Sequence, residues 1–232
     1  MKNFLIRTAS GAVMLIVVLG AMLLSKWSFM ALMAAIAIGG MWEFYRFAEK
    51  AGYNPMKVLG IFTGIMILCT GVAAMLFFDL GGDSASAPLL LIAAASALVL
   101  IVPLMFICEL YRKSATPIAN IATSLLGALY VAFPMALLLI VPMLLGVGKW
   151  NPWIMIFYIF IIWANDVFAY LFGITLGRHR LFERISPKKS WEGFFGGLLG
   201  AMAMGWVAAT ILEASVPMWV GLALVAAISG VF

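Results

Sequence analysis

Long apolar runs, separated by short polar segments, follow one another along nearly the whole chain. A membrane-spanning helix needs about 20 predominantly apolar residues, and such windows recur from the first residues to the last. They are Thr8–Leu24, Phe29–Ala48, Val58–Phe78, Pro88–Cys108, Ile118–Leu145, Trp153–Gly173, Gly193–Leu212 and Pro217–Phe232. The pattern predicts an all-α fold, a polytopic transmembrane helical bundle of about seven to eight spans.

Two of these windows are irregular. Ile118–Leu145 is long and contains Pro134 and Pro142, which favours a kink or a preceding interfacial stretch. Pro217–Phe232 is short for a span and stays apolar to its last residue. Because no internal repeat or low-complexity linker interrupts the chain, we expect residues 1–232 to form a single transmembrane domain.

Composition and charge support this interpretation. Of the 232 residues, 66% are hydrophobic and 10% are charged, whereas a soluble domain has about 25% charged residues. The net charge is +5, but with a cytoplasmic N-terminus twelve of the fourteen lysines and arginines fall in cytoplasmic segments. By the positive-inside rule we expect a multi-pass protein of the cell inner (cytoplasmic) membrane, with its N-terminus and basic loops in the cytoplasm. The basic surplus is thus a membrane signal and does not indicate nucleic acid as a partner.

Asp166 is a carboxylate inside the sixth apolar window. A charged side chain near the middle of a span costs about 2.5–3.5 kcal/mol on insertion scales. No lysine or arginine lies within two helical turns to neutralise it. The pattern therefore favours a functional acid or a metal ligand over a structural hydrogen-bonding partner between helices.

The segment between the sixth and seventh windows is strongly basic. Its cations are Arg178, Arg180, Arg184, Lys188 and Lys189. Ser186 followed by Pro187 is typical of a helix N-cap and first helical residue. A helix that begins there would direct N–H groups and two lysines at one point, which predicts a phosphate site. The alternative is a positive-inside loop that only anchors the fold.

We assign structural roles to the glycines and the histidine that flank this basic segment. Gly193, Gly196, Gly197 and Gly200 follow an i, i+3, i+4, i+7 pattern, which predicts a smooth helix face for close approach of another helix. His179 is the one histidine of the chain. We interpret it as a solvated loop residue and not as an acid–base group or ligand.

Residues that match a known family are concentrated between Trp163 and Gly197. They are Asn165-Asp166, Ala169-Tyr170, Gly173, Gly177-Arg178-His179-Arg180-Leu181 and Ser186-Pro187-Lys188-Lys189-Ser190-Trp191-Glu192-Gly193. This stretch closely resembles the CDP-diacylglycerol synthase (phosphatidate cytidylyltransferase) family, and the element that begins at Ser186 is its most specific part. Trp42-Glu43-Phe44 is similar to the family as well.

The resemblance implies that CTP and phosphatidate are converted to CDP-diacylglycerol and pyrophosphate, with Mg²⁺ and room for a second metal ion. It implies catalytic roles for Asp166, Lys188 and Lys189, with Asp166 also a metal ligand. The implied substrate-binding residues are Ser186, Asn165, Arg178, Trp191 and Glu192. The expected partners are CTP, phosphatidate and membrane lipid, with a homodimer left open and no nucleic acid.

The chain departs from the family pattern in two places. Val167-Phe168 stands where the family has small residues. The family's C-terminal signature, which supplies further aspartates, is not found before Phe232. We therefore expect the chain to be a fragment that lacks the C-terminal catalytic segment, and we expect the 232-residue form by itself to lack cytidylyltransferase activity.

Three other functions compete with this hypothesis. A secondary transporter would use Asp166 as an ion site, but it predicts an inverted repeat, which the sequence does not show. A CTP-dependent lipid kinase of the polyprenol type would keep the basic loop and change the acceptor to an alcohol. A non-catalytic membrane assembly factor is the third alternative.

Overall fold

The computed structural model describes residues 2–79, 86–182 and 186–230. In these ranges nine α-helices and one two-stranded sheet follow one another along the chain. The helices are α1 (Lys2–Leu24), α2 (Lys26–Lys50), α3 (Lys57–Asp79), α4 (Ser86–Arg112), α5 (Pro117–Gly127), α6 (Phe133–Leu144), α7 (Pro152–Leu176), α8 (Trp191–Ile211) and α9 (Val216–Ser229). The strands are β1 (Arg180–Phe182) and β2 (Ser186–Ser190), and a π-helical turn (Ala128–Ala132) joins α5 to α6.

Each apolar window contains a helix, so the predicted all-α transmembrane bundle is confirmed. Within the described ranges, six helical segments are long and apolar enough to cross a membrane. They are Lys26–Lys50, Lys57–Phe78, Pro88–Arg112, Pro117–Leu144, Pro152–Leu176 and Trp191–Ile211. Ser10–Leu24 and Val216–Ser229 are shorter apolar helices. The protein is an integral membrane protein.

A π-helical turn, Ala128–Ala132, interrupts the helix of the fifth window. The expected kink or interfacial stretch stays a prediction. Pro134 lies just after the π-helical turn, within the continuous helical segment Pro117–Leu144, where a proline supplies no N–H to the helical hydrogen-bond ladder. Ala128 and Ala132 are fully buried in one cluster with Met41 and Tyr45 of α2. The π-helical turn therefore lies at a packed contact between helices.

The chain packs as two compact units, Met1–Pro152 and Trp153–Phe232, and each is described by itself. The expectation of a single domain is not tested by this division and stays a prediction. In the first unit, glycines of α3 let α2 approach closely. A methyl group added at Gly60 would overlap the hydroxyl of Tyr45, and one added at Gly64 would overlap the sulfur of Met41.

A buried polar network joins the α2–α3 connection to α4 and α5. The amide of Asn120 donates to Oε1 of Glu109 and to Oγ of Ser114, both at 2.7 Å. Its Oδ1 accepts the N–H of Asn54 at 2.9 Å. Arg112 completes the network with an ion pair to Glu109 at 2.8 Å. These contacts satisfy polar groups that would otherwise be costly to bury.

The second unit contains α7, the β1–β2 hairpin, α8 and α9. The predicted glycine face of α8 is confirmed, because Gly193, Gly196, Gly197 and Gly200 are all buried. All four face α7, where methyl groups added to them would meet Ala169, Phe172, Asn165 and Phe168 respectively. Small residues thus allow the backbone of α8 to approach α7 closely.

The predicted start of α8 at Ser186-Pro187 is wrong. Ser186–Ser190 is extended and pairs antiparallel with β1, with Arg180 opposite Ser190 and Phe182 opposite Ser186. Ser190 is the N-cap, and its Oγ accepts the N–H of Gly193 at 3.1 Å. Cross-strand hydrogen bonding keeps the Ser-Pro segment out of the helix, so Lys189 lies on the strand that precedes α8.

Candidate functional site

A cavity of about 470 Å³ lies in the second unit. Its polar lining comes from Asn165, Asp166 and Tyr170 on α7, Arg180 on β1, and Lys189 and Ser190 on β2. Ala169, Ile174, Leu181 and Phe194 supply apolar walls. The structure therefore brings the isolated carboxylate of α7 and two cations of the basic segment, Arg180 and Lys189, into one cavity.

Asp166 lies ten residues before the end of α7. At 1.5 Å per residue this places it roughly 15 Å along the helix from Leu176. The ion pairs found among the described residues do not include Asp166. A carboxylate that lines a cavity and forms no ion pair among the described residues can accept a cation or a polar ligand.

Asn165 is 8% exposed and lies where α7 meets α8. A methyl group added at Gly197 would lie 2.7 Å from its Oδ1 and 2.9 Å from its backbone oxygen. Because Gly197 has no side chain, there is room at this position for the amide of Asn165. Because Asn165 also lines the cavity, the packing of α8 fixes a polar group next to Asp166.

Arg180 and Lys189 are the cations that line the cavity among the described side chains. Lys189 was predicted, and its Nζ also donates to the carbonyl of Gly230 at 3.5 Å. Arg180 was not singled out from the sequence, because its place follows from its pairing with Ser190 across the hairpin. Arg178 does not line the cavity.

Two of the predicted cations lie partly or wholly outside the described part of the chain. The backbone of Lys188 lies on β2, but its side chain is outside the described residues, and so is Arg184. The catalytic role of Lys188 stays a prediction.

The other predicted binding residues do not line the cavity. Ser186 begins β2. Trp191 stacks on Phe195 with ring centroids 6.0 Å apart, and it meets Phe194 edge-on at 6.0 Å. Since Phe194 lines the cavity, Trp191 contacts the site through that ring. The substrate-binding roles of Ser186, Arg178, Trp191 and Glu192 stay predictions.

Glu192, in the first turn of α8, forms a cluster of hydrogen bonds with the segment before β1. Its Oε2 accepts the N–H of Arg178 at 3.1 Å, and the N–H of His179 lies 3.3 Å from both carboxylate oxygens. His179 Nδ1 is 2.7 Å from Oε1. Sequence reasoning treated His179 as a solvated residue, and its ring is indeed 77% exposed, but it also has this carboxylate partner.

The charges of the site fit a phosphate-bearing ligand that is partly immersed in the membrane. Two exposed cations line a cavity that also has apolar walls, so a ligand there could pair anionic groups with Arg180 and Lys189 while its apolar parts contact the walls. Among the described residues, no group of three or more histidine, cysteine, aspartate or glutamate side chains converges on one point. Of the described residues that line this cavity, Asp166 is the one carboxylate that could bind a cation.

Comparison with known proteins agrees with the geometry. The model of the cytidylyltransferase family matches residues 5–232. The chain is 34% identical to the phosphatidate cytidylyltransferase of Aquifex aeolicus over 58% of this chain and 51% of that protein. It is 31% identical to that of Rickettsia bellii over 62% of this chain and 53% of that protein.

A longer match is found with the phosphatidate cytidylyltransferase of Haemophilus influenzae, at 29% identity over 87% of this chain and 71% of that protein. The chain thus spans about half the length of the Aquifex and Rickettsia proteins. The family match covers nearly the whole chain, including every residue of the cavity. The resemblance seen in the sequence is confirmed, and the chain belongs to the cytidylyltransferase family.

Proposed function

We propose that this protein transfers a cytidylyl group from CTP to phosphatidate, which gives CDP-diacylglycerol and pyrophosphate. The named activity of the Aquifex, Rickettsia and Haemophilus relatives supports the proposal. The observation that carries it is the presence of Asp166, Arg180 and Lys189 in one cavity of a membrane-embedded unit. A site with one carboxylate and two cations is suited to bind a nucleotide next to an anionic lipid headgroup.

In this reaction an oxygen of the phosphatidate phosphate attacks the α-phosphorus of CTP. A new P–O bond forms, the bond from the α-phosphorus to the bridging oxygen breaks, and pyrophosphate leaves with the bonding electron pair. Both substrates are strongly anionic, so their approach is opposed by charge repulsion. Catalysis of such a step depends mainly on positioning and on neutralising charge.

Arg180 and Lys189 are the residues that we assign to the phosphates. Both line the cavity on the hairpin, and Asp166 lines it on α7. A guanidinium offers paired N–H donors to phosphate oxygens, while an ammonium acts as a compact point charge. Together they would hold the triphosphate at the inner end of the cavity, with the headgroup of phosphatidate nearer to Asp166 and its acyl chains in lipid.

We also propose that magnesium binds at Asp166. Mg²⁺ in nucleotide sites is commonly held by one or two protein carboxylates together with substrate phosphates and water. Asp166 fits this mode, because its carboxylate lines the cavity and takes part in none of the ion pairs of the described residues. When bound there, the ion would neutralise charge that develops on the phosphoryl oxygens.

We place the protein in the cytoplasmic membrane, with the β1–β2 hairpin on the cytoplasmic side. The support is the distribution of lysine and arginine, of which twelve in fourteen fall on one side of the expected topology. CTP would then reach the cavity from the cytoplasm, and phosphatidate would enter from the membrane.

The test is Asp166→Asn, which removes the charge and keeps the size of the side chain. This variant, like the others assayed for activity below, is made in the protein expressed from its full reading frame. We expect cytidylyl transfer to fall at least 100-fold, because the amide neither neutralises a cation nor binds Mg²⁺ as strongly. Glu213→Gln is the matched control, since Glu213 is exposed and does not line the cavity. Its activity should equal that of the unchanged protein. Normal transfer by a well-expressed Asp166→Asn variant would contradict the assignment.

The position of a ³²P label in CTP, at the α- or the γ-phosphorus, distinguishes the proposed reaction from that of a lipid kinase. A cytidylyltransferase moves the α-phosphorus into lipid and releases the β- and γ-phosphates as pyrophosphate. A CTP-dependent kinase moves the γ-phosphorus instead. We expect label from α-³²P-CTP in the lipid fraction and none from γ-³²P-CTP. The opposite distribution would replace the proposal with the kinase.

A further inference from the structure

The carboxylate of Glu192 is surrounded by the protein's own donors. The N–H of Arg178 lies 3.1 Å from Oε2, the N–H of His179 lies 3.3 Å from both oxygens, and His179 Nδ1 lies 2.7 Å from Oε1. The N–H of Trp191 in turn donates to the carbonyl of His179 at 3.0 Å. Residue 179 is therefore held through its N–H, its carbonyl and its side chain.

These contacts are adjacent in sequence to the residues that line the cavity. α7 ends at Leu176, so the chain turns from helix to strand in the three residues before Arg180. Arg180 then pairs with Ser190, directly before α8. Glu192 thus connects the first turn of α8, by hydrogen bonds, to Arg178 and His179, the residues directly before β1. It does not line the cavity, whereas Arg180 and Lys189 on the two strands do.

The location of Glu192 also favours its negative charge. It lies in the first turn of α8, where the helix dipole and the terminal N–H groups stabilise an anion. Its side chain is 24% exposed, so water screens its hydrogen bonds only in part. Hydrogen bonds of backbone N–H groups to a carboxylate are stronger than those between neutral groups. A neutral acceptor at the same position would therefore keep the contacts with Arg178 and His179 in a weakened form.

We propose that Glu192 is a positioning residue, which fixes the base of the β1–β2 hairpin through Arg178 and His179 so that Arg180 and Lys189 face the cavity of Asp166. The proposal rests on the function proposed above in so far as those cations bind the substrate phosphates. In this role Glu192 touches neither substrate nor metal. Its oxygens are acceptors for the hairpin, and His179 is their side-chain donor.

Two conservative variants separate this role from one that depends on charge. Glu192→Gln loses the charge but keeps an oxygen that accepts the backbone N–H groups, and its amide can donate to a neutral His179. Glu192→Asp keeps the charge but withdraws the carboxylate by roughly 1.5 Å, the length of one C–C bond. A positioning role predicts that Glu192→Gln retains more of the native contacts and activity than Glu192→Asp. If Glu192 were a metal ligand or acted through its charge, Glu192→Asp would retain more activity.

The first measurement is amide hydrogen exchange of the segment 177–182 in the purified protein. We expect exchange of the Arg178 and His179 amides to become about tenfold faster in Glu192→Asp, because a lost hydrogen bond opens the segment. Glu192→Gln should stay within threefold of the unchanged protein. This readout does not depend on any activity, so it tests the contacts even if the proposed reaction were wrong. Equal exchange in all three proteins would overturn the proposal.

The second measurement is steady-state kinetics with CTP in membrane vesicles. Misplaced cations should weaken nucleotide binding more than the chemical step, so Glu192→Asp should raise KM for CTP about tenfold and lower kcat less. Glu192→Gln should be close to the unchanged protein in both constants. Lower activity of Glu192→Gln than of Glu192→Asp would overturn the positioning role. His179→Ala removes only one of the contacts and should give a smaller rise in KM than Glu192→Asp.

Discussion

The cations near Asp166 differ in their surroundings. Arg180 and Lys189 line the cavity, whereas Arg178 lies outside it and donates its backbone N–H to Glu192. All three side chains are exposed, so salt screens the charge of each over about 8 Å. Their place relative to the cavity is what distinguishes Arg180 and Lys189 from Arg178. Proximity in sequence to Asp166 therefore does not determine which of these cations can bind a ligand in the cavity.

Substitution of these cations should separate phosphate binding from a general charge effect. Lys189→Ala and Arg180→Ala should each raise KM for CTP tenfold or more, because charge-assisted hydrogen bonds to phosphate are lost. Arg178→Ala should change KM less than threefold, since its backbone N–H contact to Glu192 is kept. Initial rates at varied CTP and fixed phosphatidate would measure this. Equal effects of all three variants would contradict the assignment.

At the scale of single residues, the sequence predicted the parts of the site that carry an unusual local signal. Asp166 is visible because a carboxylate in an apolar span is costly, and Lys189 because it belongs to a basic cluster. Arg180 and Ser190 belong to the stretch that resembles the family but were assigned no role in the site, since their place in the cavity depends on the register of β1 against β2. Ser186 was misread as an N-cap because Ser-Pro is a good local signal for one, and strand pairing overrides it.

At the scale of the elements, hydropathy predicted the helices and little else. A transmembrane helix satisfies its own backbone, so a long apolar run in lipid has few alternatives. The hairpin has no such signal, because β2 (Ser186–Ser190) contains a proline, two lysines and no residue of high β propensity. The π-helical turn at Ala128–Ala132 likewise depends on packing and not on composition.

The close packing of α8 on α7 leads to a testable difference between two glycines. In Gly197→Ala the new methyl group would lie 2.7 Å from Oδ1 and 2.9 Å from the backbone oxygen of Asn165. Overpacking of this kind costs about 1–3 kcal/mol, and it would displace Asn165 from the cavity. We expect a lower Tm in detergent and weaker CTP binding. Gly221→Ala in α9, where no atom lies within 4 Å of the added group, should leave both unchanged.

The polar network of the first unit should be important for stability and not for the reaction. Asn120→Leu removes the amide that bonds Glu109, Ser114 and the N–H of Asn54. A buried acceptor left without its partner costs about 1–3 kcal/mol, so Tm should fall by several degrees. Thr123→Ala on the same helix loses only a bond to the Ala119 carbonyl and is the control. An unchanged Tm in Asn120→Leu would show that the network is dispensable.

At the scale of the whole molecule, hydropathy and charge carry different information. Hydropathy reports which segments can lie in lipid, and it is similar on both sides of Pro152, where the two compact units divide. It therefore gave no sign of that division, which depends on which helices pack together. The distribution of lysine and arginine instead predicts sidedness, because positively charged loops are retained in the cytoplasm.

The predicted sidedness can be tested within the second unit alone. α8 has 21 residues, about 32 Å at 1.5 Å per residue, which matches a hydrocarbon core of about 30 Å. Thr175, before the hairpin, and Ser215, after α8, are both exposed and should therefore lie on opposite faces of the membrane. In a background where Cys69 and Cys108 are replaced by alanine, Ser215→Cys should react with an impermeant thiol reagent added to intact cells. Thr175→Cys should react only after the membrane is opened. Labelling of Thr175→Cys in intact cells would reverse the orientation and place the cavity on the side that lacks CTP.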